Sequence, residues 1–167
     1  MTKSSLPLTQ PKRITNYGGQ VLGPQFTPDG SSLVFSTSSL VDGPRVRLLN
    51  LKTLDEEVLL EDTLSKAISL TTDGQSFFFQ QTHINQRFYS HNSILRYDFA
   101  SNSSRRLEPA PAHKKEFLAP SGLMRGRDPD VSKDGKRIVF VQTPYGSNRL
   151  VLAWLESDGT TLNPKVI

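Results

Sequence analysis

Three histidines, His83, His91 and His113, are the side chains of this sequence best suited to proton transfer or metal binding. Histidine titrates near neutral pH, and a zinc site needs converging ligands, as in the His-Glu-x-x-His spacing on a helix. No such spacing occurs here, and His113 follows the other two histidines in a separate segment. The sequence therefore predicts no metal site and no bound cofactor.

The serines and carboxylates do not favour catalysis either. The stretches GSSL and GQSFF lack the second glycine of the Gly-x-Ser-x-Gly nucleophile turn. The spacing of Asp128, Asp130 and Asp134 is similar to a calcium loop, but Gly135 is misplaced and no acidic residue closes the loop. We therefore predict that the chain is not an enzyme.

A repeated turn is the strongest pattern in the sequence. Asp-Gly pairs are followed, five residues after the glycine, by a phenylalanine; the residues are Asp29, Gly30 and Phe35, then Asp73, Gly74 and Phe79, then Asp134, Gly135 and Phe140. Aspartate accepts hydrogen bonds inside a tight turn and glycine adopts positive φ, so each pair predicts a structural turn. The β-rich stretches on either side of each pair predict a hairpin.

Two further strands are predicted after each hairpin, which gives an all-β chain of about three four-stranded antiparallel blades. The chain is predicted to be a single domain over 1–167, with blades at 21–62, 66–107 and 128–167. Residues 108–127, EPAPAHKKEFLAPSGLMRGR, show no strand or helix pattern. They are predicted to be a loop inserted between two blades.

The repeat carries a family resemblance. The pattern Pro-x-x-(Ser/Thr)-x-Asp-Gly-x-x-apolar-apolar-Phe, seen as PQFTPDGSSLVF at 24–35 and PDVSKDGKRIVF at 129–140, resembles the TolB-type β-propeller repeat, a relative of WD repeats. The resemblance covers residues 12–167 and implies a bacterial periplasmic protein that docks protein partners. An alternative stays open, because similar propellers gate the substrates of serine peptidases resembling prolyl oligopeptidases or form part of carbohydrate-active enzymes.

The length of the chain does not match a full ring. Propellers of this family have about six to eight blades, whereas 167 residues at roughly 45 per blade provide about three and a half. We therefore expect an incomplete ring, either a piece of a longer protein or a chain that completes its ring by association, for example as two copies. Residues 12–15, KRIT, resemble the end of an outer strand and are predicted to close a blade.

The predicted binding surface is the face on which the long loops collect, opposite the short Asp-Gly turns. A protein partner is expected there. The candidate binding residues, all in or beside these loops, are His83, Arg87, Tyr89, His91, Lys114, Lys115, Arg125, Arg127 and Tyr145.

Composition excludes several other classes. The net charge of +4 is spread along the chain without a basic run, so nucleic acid is not the expected partner. There is no cysteine, which excludes disulfides and thiolate metal sites. No apolar stretch has the length of a signal peptide or a membrane span, so a cytoplasmic location stays open beside the periplasm.

Overall fold

Three antiparallel β-sheets, each built around one of the repeated Asp-Gly turns, form the fold in the computed structural model, which describes residues 11–84, 90–143 and 147–167. Sheet one contains β1 (Gln20–Phe26), β2 (Ser32–Ser39), β3 (Gly43–Asn50) and β4 (Glu56–Glu61). Sheet two contains β5 (Ile68–Leu70), β6 (Ser76–Ile84), β7 (Ser90–Asp98) and β8 (Ser103–Arg106).

Sheet three has five strands. They are β9 (Glu108–Pro109), β10 (Arg127–Val131), β11 (Arg137–Gln142), β12 (Arg149–Leu155) and β13 (Thr161–Val166). Strands β10 to β13 pair in chain order, and the short β9 joins the outer edge by pairing in parallel with β13. The predicted all-β architecture of antiparallel sheets is confirmed.

The three repeated Asp-Gly pairs lie in the hairpin turns that precede β2, β6 and β11. Asp29 Oδ1 accepts hydrogen bonds from Thr27 Oγ1 (2.6 Å) and from the Ser31 amide (3.1 Å), while Gly30 has a φ of 69°. Asp73 accepts equivalent bonds from Thr71 and Gln75. Because the aspartate bonds both sides of the turn, the local sequence alone holds the hairpin closed.

Two more Asp-Gly pairs lie in turns at other places in the sheets. Asp42 and Gly43 connect β2 to β3, and Asp158 and Gly159 connect β12 to β13. The Asp-Gly pair therefore marks a tight turn in general, and it is the phenylalanine five residues later that distinguishes the first hairpin of each sheet.

The sheets stack face to face through alternating side chains. On β6, Phe77 and Phe79 belong to the apolar cluster shared with sheet one, whereas Phe78 belongs to the cluster shared with sheet three. Phe140 likewise packs in the cluster shared with sheet two. Since neighbouring residues of a strand point to opposite faces, the phenylalanine five residues after the glycine faces the preceding sheet and its predecessor faces the following one.

No sheet precedes Phe35 among the described residues, and a short segment takes that place. The cover segment, residues 11–19, brings the Tyr17 ring to 5.8 Å from the Phe35 ring, and Phe35 is buried. The Arg47 guanidinium lies 5.2 Å from the centre of the Tyr17 ring, and its Nε donates a hydrogen bond to Thr37 Oγ1. The outer face of sheet one is thus partly covered by its own chain.

Two segments are compared with the sequence-based expectations. Residues 12–15 form no strand in the described part of the chain. The blade that they would close is not among the three described sheets, so their role as a closing strand stays a prediction. The predicted loop 108–127 contains β9, a 3-10 turn at Pro111–His113 and α1 (Lys114–Phe117). It is ordered because Phe117 and Met124 are buried in the cluster between sheets two and three.

Candidate functional site

A polar cavity of about 350 Å³ opens between sheets two and three, at the strand ends opposite the three repeated Asp-Gly turns. The lining comes from the start of β7, the residues before and at the start of β10, and the end of β11. Its lining residues are His91, Asn92, Arg125, Gly126, Arg127, Val141 and Thr143. We call this cavity the basic pocket, since its charged lining residues are arginines.

The close approach of the chain at Gly126 shapes the pocket. The Gly126 amide donates a hydrogen bond to the Asn92 carbonyl (2.9 Å), which ties the segment before β10 to β7. A Cβ atom at this position would lie 2.7 Å from Ile94 Cδ1 and 3.1 Å from Phe140 Cδ2. Only a glycine fits this contact without displacing core atoms. Because Arg125 and Arg127 flank Gly126 in sequence, the backbone of both arginines is held beside β7.

The backbone after Arg127 is also held tightly. Asp128 has a φ of 52°, a left-handed conformation that is unusual for a residue other than glycine. The Asp128 amide donates to Oε1 of the buried Gln80 (3.1 Å), and the Asp128 carboxylate pairs with the Arg127 guanidinium. Local backbone strain of this kind persists where the surrounding contacts enforce it, and it often occurs at binding sites.

The electrostatic field in the pocket is positive. Burial lowers the pKa of His91 below its ordinary value, and the charges of Arg125 and Arg106 lower it further. This shift favours the uncharged imidazole, so the positive charge of the pocket comes mainly from the arginines. Arg106 lies on β8 and does not line the pocket, and its Nε atom is buried without a hydrogen-bond partner in the described structure.

The sequence-predicted binding residues separate into three groups. His91, Arg125 and Arg127 come together in the basic pocket. Lys114 and Lys115 are exposed on α1 and do not line it. His83 pairs with His91 through the β6–β7 ladder, its side chain being outside the description, and Arg87, Tyr89 and Tyr145 lie outside the described residues.

Four lining residues were not predicted from the sequence, namely Asn92, Gly126, Val141 and Thr143. A glycine between two arginines, in the stretch RGR at 125–127, was the available signal for Gly126. The others depend on how sheets two and three pack against each other, which a local pattern does not reveal.

Within ranges 11–84, 90–143 and 147–167, no three histidine, aspartate or glutamate side chains are grouped as metal ligands. No helix in that part of the chain is long and apolar enough to cross a membrane.

The stacked antiparallel sheets, each starting from an inner hairpin, define a β-propeller segment. Solved structures agree: TolB from Acinetobacter baumannii superposes with a TM-score of 0.52 at 20% sequence identity, over 94% of this chain and 46% of that chain. The fold is therefore that of a TolB-like β-propeller, as the repeat predicted.

Propellers from enzymes are similar as well. The β-propeller domain of the Trilobed protease from Pyrococcus furiosus gives a TM-score of 0.61 at 10% identity, covering 89% of this chain and 43% of that chain. An oligogalacturonate lyase in complex with manganese gives 0.61 at 17% identity, covering 89% and 39%. The chain thus spans less than half the length of each of these structures. No protein-family model and no curated protein sequence matches it significantly.

Proposed function

We propose that this propeller segment is a non-catalytic scaffold that binds a protein partner on its loop face, through the basic pocket. The pocket is the observation that carries the proposal, because it gathers His91, Arg125 and Arg127 at one point of the face. Arginines beside a preformed concavity are typical of the centre of protein interfaces.

The rigid base of the pocket supports this function. The hydrogen bond from the Gly126 amide to the Asn92 carbonyl fixes the pocket wall before any partner arrives. A preformed site loses little conformational entropy on binding, which raises the affinity available from a small set of contacts. The opposite face presents tight Asp-Gly turns, which offer few adaptable side chains.

Partner capture by matched charge-reversal variants tests the proposal. The immobilised wild-type chain, the double variant Arg125→Glu/Arg127→Glu and the single variant Lys52→Glu are incubated with extract of the source organism, and captured proteins are quantified by mass spectrometry. Lys52 is exposed in the turn between β3 and β4, on the face that carries the three repeated Asp-Gly turns, and serves as the control. Circular dichroism verifies that all three are folded.

A protein retained by the wild type and by Lys52→Glu, but lost from the double variant, supports a loop-face scaffold. Retention of the same proteins by all three chains would show that the loop face is not the binding surface. Capture of nothing at physiological salt would contradict the scaffold function itself.

The resemblance to TolB-type repeats also carries proposals about location and assembly. We place the protein in the bacterial periplasm, and we propose that its blades complete a ring by association. Cell fractionation followed by immunodetection tests the location; recovery in the cytoplasmic fraction alone would contradict it.

A second candidate function is a substrate-gating propeller within a larger peptidase or carbohydrate-active enzyme. The fold similarity to the propeller of the Trilobed protease and to the lyase favours keeping it as the alternative. Sequencing the complete gene tests it, because a hydrolase segment with Gly-x-Ser-x-Gly in the same reading frame would favour the peptidase over the scaffold.

A further inference from the structure

We infer that the basic pocket binds a carboxylate, so that the segment of partner it receives is an acidic peptide. The inference rests on the proposed function, since it specifies the chemistry of the partner on the same face.

The size of the pocket indicates a side chain as the occupant. At about 350 Å³ it lies near the lower end of the roughly 300–1,000 Å³ typical of ligand sites. A cavity of this volume admits one or two side chains of a bound peptide and leaves the rest of that peptide on the surface. The polar lining, with Asn92 and Thr143 beside the arginines, disfavours an apolar side chain.

The charge of the pocket selects an anion. Arg125 and Arg127 line it, and none of the described lining residues is acidic. Asp128 neutralises part of the Arg127 charge from outside the pocket, whereas Arg106 adds a positive charge close enough to affect His91. An occupant that brings one negative charge would compensate the remaining excess.

The geometry favours carboxylate recognition. Guanidinium groups bind carboxylates through two parallel hydrogen bonds, provided that the arginine backbone is held in place. Gly126 provides that anchor, because its amide is hydrogen-bonded to β7 and a Cβ atom added at this position would meet Ile94 and Phe140 of the core. The arginine preceding this anchor is exposed, the one following it is half-buried, and both line the same cavity.

A single negative charge fits better than two. Phosphate groups carry a charge of about −1.5 to −2 at neutral pH and are usually bound by clusters of charged donors. Here burial and the neighbouring arginines disfavour the charged imidazole of His91, and the Arg127 guanidinium is paired with the Asp128 carboxylate. The pocket therefore matches glutamate or aspartate more closely than a phosphorylated side chain.

Fluorescence anisotropy with defined peptides tests the inference. The probe is a fluorescein-labelled hexaglutamate, and hexaglutamine and a phosphoserine-containing hexapeptide are compared with it at several salt concentrations. We expect hexaglutamate to bind most tightly. Arg125→Gln and Arg127→Gln should each weaken it about tenfold, as expected for the loss of one charge-assisted hydrogen bond.

Two control variants distinguish pocket binding from general attraction. Lys52→Gln removes the same charge from the opposite face and should change the dissociation constant by less than about twofold. Arg125→Lys keeps the charge but removes the planar fork, so it should fall between the wild type and Arg125→Gln.

Three results would overturn the inference: hexaglutamate binding no more tightly than hexaglutamine, Lys52→Gln weakening it as much as Arg125→Gln, or the phosphopeptide binding more tightly than hexaglutamate. The scaffold function fails differently. A partner captured through the loop face that hexaglutamate does not displace would leave that function standing while the carboxylate inference fails.

Discussion

The carboxylates in the tight turns are strongly hydrogen-bonded, which determines how the protein responds to acid. Hydrogen bonds from Thr27 and Ser31 lower the pKa of Asp29 to about 2, and those from Thr161 and Thr160 lower the pKa of Asp158 to about 2. The ordinary value for aspartate is about 3.9. Because the folded-state pKa is depressed, this stabilisation is present above the unfolded pKa and is lost as the pH falls through the folded one.

We therefore expect the melting temperature to fall between about pH 4 and pH 2, and to fall less in the double variant Asp29→Asn/Asp158→Asn. Thermal unfolding followed by circular dichroism at several pH values measures this dependence. Asp55→Asn serves as the control for loss of a carboxylate outside the Asp-Gly turns. An equally steep decline in the double variant would show that other carboxylates dominate acid unfolding.

Gly126 gives a second prediction about a single residue. Gly126→Ala places a methyl group 2.7 Å from Ile94 Cδ1, so the packed core must shift. We expect a loss of about 1–3 kcal/mol in the free energy of unfolding, as for other overpacked sites, together with weaker binding of acidic peptides. Urea denaturation measures the first effect.

Gly18→Ala is the matched control for that change, because no atom lies within 4 Å of its Cβ position. A loss at Gly126→Ala no larger than at Gly18→Ala would mean that the chain does not approach β7 as closely as described.

Among single residues, those with local roles were the ones that sequence reasoning could assign. Asp29 and Gly30 act within one turn, so their neighbours in sequence are also their neighbours in space. Gly126 and Thr143 acquire their roles through contacts between sheets two and three. The stretch RGR at 125–127 draws attention to Gly126, but no local pattern shows which neighbours surround either residue.

At the scale of elements, α1 is the clearest departure from the sequence-based expectation. A helix of four residues has no detectable periodicity, and it forms here because Phe117 is buried and packs beneath the Arg149 guanidinium, which lies 4.7 Å from the ring centre. The Phe117 carbonyl also accepts a hydrogen bond from Gln142 Nε2 (3.0 Å). Tertiary contacts, rather than helix propensity, therefore order this segment.

Phe117→Ala should consequently destabilise the whole protein by about 3–5 kcal/mol, the usual loss for a buried phenylalanine. Lys115→Ala, at an exposed position of the same helix, should change stability by less than about 0.5 kcal/mol. Chemical denaturation of both variants measures the difference. Similar small effects in both would indicate that 108–127 is the surface loop which its sequence predicted.

The strands themselves were predictable because their pattern repeats. The three consecutive phenylalanines of β6 supply both faces of sheet two, which is why that strand shows no polar alternation. Residues 12–15 lie outside this repeat, and whether they form a strand depends on a neighbouring strand edge, which the local sequence does not reveal.

At the scale of the whole molecule, the two outer sheets have different exposed faces. Val34 and Phe78, four residues after their Asp-Gly glycines, are buried against the following sheet, whereas Val139 at the same position of sheet three is only half-buried. Leu150 and Trp154 on that sheet are each 44% exposed. Sheet three therefore exposes apolar side chains on the face that, in sheets one and two, is covered by the following sheet.

This face should cause self-association. Light scattering coupled to size exclusion should show a mass approaching about twice 18.6 kDa as concentration rises, and Leu150→Lys/Trp154→Lys should restore the single-chain mass. Val41→Lys changes an apolar residue that is 93% exposed in the turn between β2 and β3, and should have no such effect. A single-chain mass at every concentration, or equal suppression by Val41→Lys, would contradict association through sheet three.

The cover segment makes the two outer sheets differ in how easily another sheet can dock on them. Tyr17 occupies the place beside Phe35 that a preceding sheet would take, and Arg47 lies over its ring, so the stack is capped on that side. Among the described residues, no comparable segment covers the outer face of sheet three, whereas a sheet that docks on sheet one would have to displace Tyr17. Completing a ring through both outer sheets therefore requires the cover segment to move away from Phe35, and the first contact is expected at sheet three.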